Sequence, residues 1–211
     1  MNQNIIKSPA IFLSFDDRHI NNWHNCLGFF RKNKMKVTFY ICFLDRIKDE
    51  EWNKIREIQS EGHTIGFHGL NHIWATRFIE KSGCQLYLEN EIDKGLDFFK
   101  KENIEINDFS YPFGNRNTET DNCLSKRFTT LRGIVLSSSP KYFYNIDELS
   151  KLKLIISKRL ELASSSLKNL IKQKNIAIFL YSHVSDSKEI NTILSIDRQL
   201  YFYPMGAIRC M

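Results

Sequence analysis

"AIFLSFDDRH", residues 10–19, decides the fold. The apolar run AIFLSF stops at a charged cluster, and Trp23, Leu27 and Phe30 follow at helical spacing, so the segment reads as strand, loop and helix. The same unit recurs. "KVTFYICF" (36–43) carries the β-branched and aromatic signature of a strand, and "DEEWNKIREIQSEG" (49–62) reads as a helix with an acidic first turn and Gly62 just past its end. "HTIGF" reads as a strand, Leu88, Ile92, Leu96 and Phe99 mark a further helix, "DFSYPFG" is a strand entering a turn, "TDNCLSKRF" a helix and "GIVLS" a strand. "ELASSSLKNLIKQKN" (161–175) is the last long helix and "IAIFLYSH" (176–183) an apolar strand ending in histidine. Strands alternating with helices imply an α/β fold, a mostly parallel sheet covered by helices.

The length of 211 residues and 42% hydrophobic content fit one domain with a real core over residues 1–211. The serine triplets at 137–139 and 164–166 are too short to mark a boundary. A net charge of +6, thinly spread over positions such as Lys32, Lys34 and Lys36, favours anionic small partners. It does not suggest nucleic acid, because no dense basic run interleaved with aromatics is present. The N-terminus has no apolar run of signal-peptide length and no stretch of about 18 apolar residues occurs anywhere, which leads to the expectation of a cytoplasmic protein. Cys26, Cys42, Cys84, Cys123 and Cys210 are odd in number and form no CxxC pair, so they are expected to be reduced and structural.

Asp16 and Asp17 follow the first strand, His68 and His72 follow "HTIGF", "YPFG" follows another strand, and His183 ends the last. Carboxyl ends of parallel strands share one face, where sites are built from loops. On a helix the His68–His72 spacing would put both rings on one side. One aspartate with two neutral imidazoles gives three ligands for a divalent ion and leaves a position open. A second aspartate can then take a proton from water and a separate histidine can protonate a leaving group, which together make a hydrolase.

"LSFDDRH", "GHTIGFHGLNH", "FSYPFG" and "FLYSHV", in that order over residues 13–184, resemble the successive motifs of the polysaccharide deacetylase family, the NodB-homology carbohydrate esterases (family 4-like). The resemblance implies a distorted (β/α) barrel of about seven strands and metal-dependent removal of N-acetyl or other acyl groups from amino sugars. Carried over residue by residue, it makes Asp16 the general base, Asp17, His68 and His72 the metal ligands and His183 the general acid. The backbone N–H of Phe113 becomes the oxyanion donor, a contribution often worth a few kcal/mol. His63 matches a family histidine but is read as structural, and Tyr111 and Pro112 shape the substrate groove. Arg18 and His19 stand where the family usually has glycine and often proline, and are read as contacts to an anionic substrate. Ser110 stands where many members carry an arginine that orients the base, and Arg159 is the expected replacement. No Asp and Trp motif that would tune His183 is found between residues 133 and 160.

The leading expectation is a cytoplasmic N-deacetylase holding one divalent ion, with zinc the default and cobalt, nickel or iron alternatives. Its substrate would be an amido sugar or glycan, phosphorylated or lipid-linked, on the way to a surface polysaccharide. One alternative is a catalytically silent carbohydrate-binding or regulatory homologue of the same fold. Another is a non-haem Fe(II) oxygenase using the same two-histidine, one-carboxylate set, which would require alternating strands without interleaved helices.

Overall fold

The computed structural model describes residues 6–135, 142–183, 190–191, 194–195 and 200–211. Seven parallel strands close into a barrel: β1 (Ala10–Asp17), β2 (Thr38–Ile41), β3 (Thr64–Phe67), β4 (Asp108–Ser110), β5 (Thr130–Val135), β7 (Leu154–Arg159) and β8 (Ile176–Ser182). The ring is sealed where β8 pairs with β1, in register from Ala10 with Ala177 to Phe15 with Ser182. The short β6 (Phe143–Asn145) runs antiparallel along β8, and β9 (Tyr201–Phe202) adds to β1. Leu136 and Ser137, which end the expected "GIVLS" strand, the serine triplet at 137–139, and Val184 of the last motif lie outside the described residues.

The two-residue period of a strand sorts β1 into two faces. Ile11, Leu13 and Phe15 point outward into a core shared with the helices, where they meet Trp23, Phe30, Phe39 and Ile55. Ala10 and Phe12 point into the barrel with Tyr40, Phe179 and Met205. The helices are α1 (Ile20–Asn25), α2 (Leu27–Lys32), α3 (Asp49–Ser60), α4 (Ala75–Tyr87), α5 (Lys94–Lys101), α6 (Thr118–Leu124) and α7 (Leu160–Leu170). The Glu51 carboxylate accepts from Lys48 N at 3.1 Å and anchors the start of α3, while Gly62 just beyond it has φ +86°. The expected helix through Leu88 and Phe99 begins earlier, at Ala75, and passes through a π-helical segment, Leu88–Asp93, before α5.

The amino-terminal end of the barrel is plugged by the final 3-10 turn, Met205–Cys210. Met205 N donates to Thr38 Oγ1 at 2.8 Å, and Arg209 pairs with the fully buried Asp108. This stopper leaves the opposite end, where the strands finish, as the open mouth.

The expectation of five reduced cysteines is corrected. Cys84 and Cys123 form a disulfide across 39 residues, with their Cα atoms 5.8 Å apart. The bond arises because α4 and α6 pack side by side, a tertiary contact that no local spacing of cysteines announces. Cys26 and Cys42 are not disulfide-bonded.

Candidate active site

Asp16 and Asp17 lie at the mouth, at the end of β1. Strand alternation turns Asp16 inward with Ala10 and Phe12, and Asp17 would face outward but for its left-handed backbone, φ +82°. Oδ1 of Asp17 stands 3.3 Å from Nε2 of His72 and 3.6 Å from Nε2 of His68. The two imidazole nitrogens are 3.2 Å apart. The histidine pair is not on a helix: it occupies the loop after β3, bent by left-handed residues at Gly69 (φ +81°) and His72 (φ +52°). The four-residue spacing therefore succeeds by a different geometry from the one its helical reading implies.

Those separations fit one ion. A tetrahedral shell with bonds of about 2.0–2.1 Å has ligand-to-ligand edges of about 3.3 Å. Nδ1 of His68 lies 2.8 Å from the carbonyl of Ser110, which can only accept, so Nδ1 carries the proton and Nε2 presents its lone pair to the site. Burial, reinforced by the neighbouring His68 ring, holds the His72 imidazole down at about 4, so it is neutral and able to ligate near neutral pH. Burial alone would raise the Asp17 carboxyl, but the imidazoles of His68, His183 and His72 crowded around it prevail and hold it at about 2.

The loop between the two histidines is held from behind. Glu91, buried in the π-helical segment, accepts from Asn71 N at 2.7 Å and from Asn71 Nδ2 at 2.8 Å. Burial raises its carboxyl despite those bonds. A π-helical turn at this point is a frequent companion of functional sites.

Asp16 is paired with Arg132, and this corrects the expectation that Arg159 serves it. Arg159 is an exposed residue at the end of β7. Arg132 projects into the barrel from β5, its guanidinium 5.1 Å from the ring centres of both Tyr40 and Tyr181. Arg132 and Ser110 are register partners on neighbouring strands. The cation has thus moved one strand along at the same height, beside a serine small enough to leave it room. Sequence reasoning missed Arg132, although a lone cation inside the apolar run "TTLRGIV" is a signal, since buried arginines require a partner.

A cleft of about 350 Å³ is lined by Asp16, Asp17, His68, His72, Tyr111, Phe113 and His183, with Gly114, Ile134 and Tyr181. The structure thus brings together the expected base, ligands, acid and oxyanion donor. Nε2 of His183 is 3.8 Å from Oδ2 of Asp17. The His183 carbonyl accepts from the indole N–H of the buried Trp23 at 2.8 Å, so the tryptophan that holds this residue comes from α1 and not from the stretch 133–160. Phe113 takes a left-handed conformation (φ +59°) and exposes its ring to the cleft. Tyr111 lines the cleft while its hydroxyl donates to Asp121 at 2.8 Å. Arg18, His19, Pro112 and Arg159 do not line it. Arg18 is bound to Glu51 at 2.7 Å, and His19 turns its ring edge toward Trp23. His63 is structural in its surroundings: Nδ1 accepts from Val37 N at 3.1 Å and the ring lies against Phe30 and Phe39.

In comparison with known proteins, the family model described as Polysaccharide deacetylase matches residues 4–127, more than half of the chain. No curated protein matches in sequence. Among solved structures, the carbohydrate esterase 4 domain of a multidomain xylanase from the hindgut metagenome of Trinervitermes trinervoides superposes with a TM-score of 0.65 at 11% identity, covering 95% of this chain and 89% of that one. A polysaccharide deacetylase from Bacillus cereus gives 0.61 at 16% identity, over 94% and 92% of the two chains. The chitin deacetylase from Colletotrichum lindemuthianum gives 0.58 at 12%, over 97% and 90%.

Proposed function

The chain belongs to the polysaccharide deacetylase family, and on that premise we propose that it is a metal-dependent hydrolase removing an N-acetyl or related acyl group from an amino sugar. One observation carries the reading: Asp17, His68 and His72 converge at ion-binding distances in the same cleft as Asp16 and His183. The oxygenase alternative required a fold without interleaved helices, and the helix-wrapped parallel barrel is not that fold. The silent-homologue alternative gains nothing from the structure, because the loss suggested by Ser110 is made good by Arg132.

When bound by Asp17, His68 and His72, a divalent ion contributes Lewis-acid polarisation of the amide carbonyl and acidifies water. Asp16, held in place by Arg132, accepts the proton of the attacking water. The N–H of Phe113 donates to the oxygen on which negative charge develops. His183, at the far side of Asp17, delivers a proton to the departing amine. Zinc is the ion that this ligand set favours, with cobalt, nickel and iron as competitors.

We further propose that the substrate is a nucleotide-linked or lipid-linked amido sugar handled in the cytoplasm. The net charge of +6 supports a charged substrate. The Cys84–Cys123 bond weighs against a reducing compartment, and a thiol count on freshly alkylated protein decides between the two. The test of the main reading is elemental analysis of wild type and His68→Ala with an acetate-release assay. About one ion per chain, lost in the variant along with acetate release from amido sugars, is the expected result; a wild type that takes up no ion when offered one would sink it.

A further inference from the structure

Five contacts form an unbroken ribbon of rings through the metal-ligand candidate His72. Arg46 lies over Phe43 at 4.8 Å, Phe43 meets His72 at 5.9 Å, His72 meets Phe113 at 4.5 Å, Phe113 meets Trp74 at 5.7 Å, and Arg77 lies over Trp74 at 3.7 Å. The ribbon begins and ends on a guanidinium. Trp74 and Phe113 are 38% and 49% exposed, large apolar surfaces left open beside a polar cleft. Phe113 is also held in a left-handed conformation that a bulky residue rarely adopts, and such outliers persist where the surroundings impose them at working sites.

The terminal arginines are unusual for this molecule. Arg18, Arg116 and Arg127 are each tied to a carboxylate, whereas neither Arg46 nor Arg77 has a carboxylate partner among the described residues. Each is instead exposed and pre-ordered by stacking on a ring, which reduces the entropy lost when its N–H donors bind an anion. A planar fork of donors suits phosphate oxygens, and aromatic faces suit the apolar face of a sugar ring.

We propose that this ribbon binds an amido sugar carrying a phosphate ester, with the sugar against Trp74 and Phe113 and the phosphate read by Arg77 or Arg46. The inference rests on the deacetylase reading for the placement of the amide, but not for the binding itself. Two sources share this chemistry, a nucleoside diphosphate sugar and a lipid diphosphate sugar.

The experiment is calorimetric titration of the full chain with N-acetylglucosamine, N-acetylglucosamine 1-phosphate and inorganic phosphate, followed by acetate release from the two sugars. We expect the sugar phosphate to bind at least about tenfold more tightly than either the neutral sugar or phosphate alone, and this advantage to collapse in the Arg46→Gln/Arg77→Gln variant and to fall with Trp74→Ala. Equal affinity for the two sugars, or an advantage that survives the double arginine variant, overturns the proposal even if both sugars are deacetylated. An arginine-dependent advantage without acetate release upholds the ribbon and overturns the catalytic reading instead. Competition by uridine diphosphate-linked against short-prenyl diphosphate-linked sugar then identifies which source the ribbon prefers.

Discussion

Arg132 and Asp16 are 116 residues apart in the chain and form an ion pair with almost no water around it, their side chains 1% and 5% exposed. Removing one partner of such a pair leaves an uncompensated buried charge, at a cost of about 3–5 kcal/mol. Arg132→Met is expected to lower stability by that order, measured by urea unfolding, and to reduce kcat. The register of Ser110 beside Arg132 allows a sharper check: Ser110→Arg combined with Arg132→Ser should recover part of both losses. A double variant no better than Arg132→Ser alone would mean that the height of the cation in the barrel is not what matters.

Glu91 is expected to act on the metal through the loop it fixes. Groups that orient ligands typically change metal affinity about 10- to 100-fold when lost. Glu91→Ala should weaken cobalt binding by that order, read from the absorption of the ion itself, and Glu91→Gln should restore much of it because an amide oxygen can still accept from Asn71. Unchanged cobalt affinity in Glu91→Ala would reduce Glu91 to a packing role.

The Cys84–Cys123 bond closes a loop whose ends are 39 residues apart, for which chain entropy predicts on the order of 4 kcal/mol of stabilisation. Reduction, or Cys84→Ser, should lower the thermal midpoint by several degrees. The protein alkylated at once from cells should show three reactive thiols of its five if the bond exists there, and five if the chain resides reduced in the cytoplasm.

His63 sets a pH dependence of stability. Burial, with help from Lys36, holds its imidazole at about 4 against an ordinary value of 6.5. The unfolded chain therefore binds a proton that the folded chain does not between those values, so stability rises with pH through this window and is lost as pH falls from 6.5 toward 4. At about 1.4 kcal/mol per unit the change is on the order of 2–3 kcal/mol. Calorimetric scans on metal-free His72→Gln protein, which lacks the other imidazole held at about 4, check it, and a thermal midpoint that stays constant as pH falls from 6.5 to 4.5 would contradict the buried neutral state.

A helix-covered parallel sheet was legible because strands such as "AIFLSF" and "IAIFLYSH" are continuous apolar runs, as burial on both faces produces; β7, whose residues alternate between buried and partly exposed, was not read, and closure into a barrel was implied by the family resemblance alone. The placement of the site was legible because Asp16 and Asp17 end one strand, His68 and His183 directly follow two others, and His72 lies four residues beyond His68 in the same loop. What the sequence concealed were relationships made by the closed ring. Arg132 sits on one strand and its partner on another, Cys84 meets Cys123 through the packing of α4 on α6, and Trp23 reaches the His183 carbonyl from a helix near the other end of the chain. None of these pairs is near enough in sequence for periodicity or motif spacing to join them. The loop carrying His68 and His72 was misleading for a related reason, since left-handed turns at Gly69 and His72 reproduce a helical proximity without a helix.

The seal between β1 and β8 also fixes when the molecule can work. A chain emerging from the ribosome presents Asp17, His68 and His72 early, but the edge of β1 stays unpaired until residues 176–182 have been made, and pairings over such distances form slowly. During that interval the nascent barrel exposes strand edges that invite association with other chains. His183 follows directly on β8, so the step that removes the open edge also delivers the acid candidate to the cleft. A truncated or stalled chain would hold metal ligands without a working site, and folding and catalytic competence arrive together.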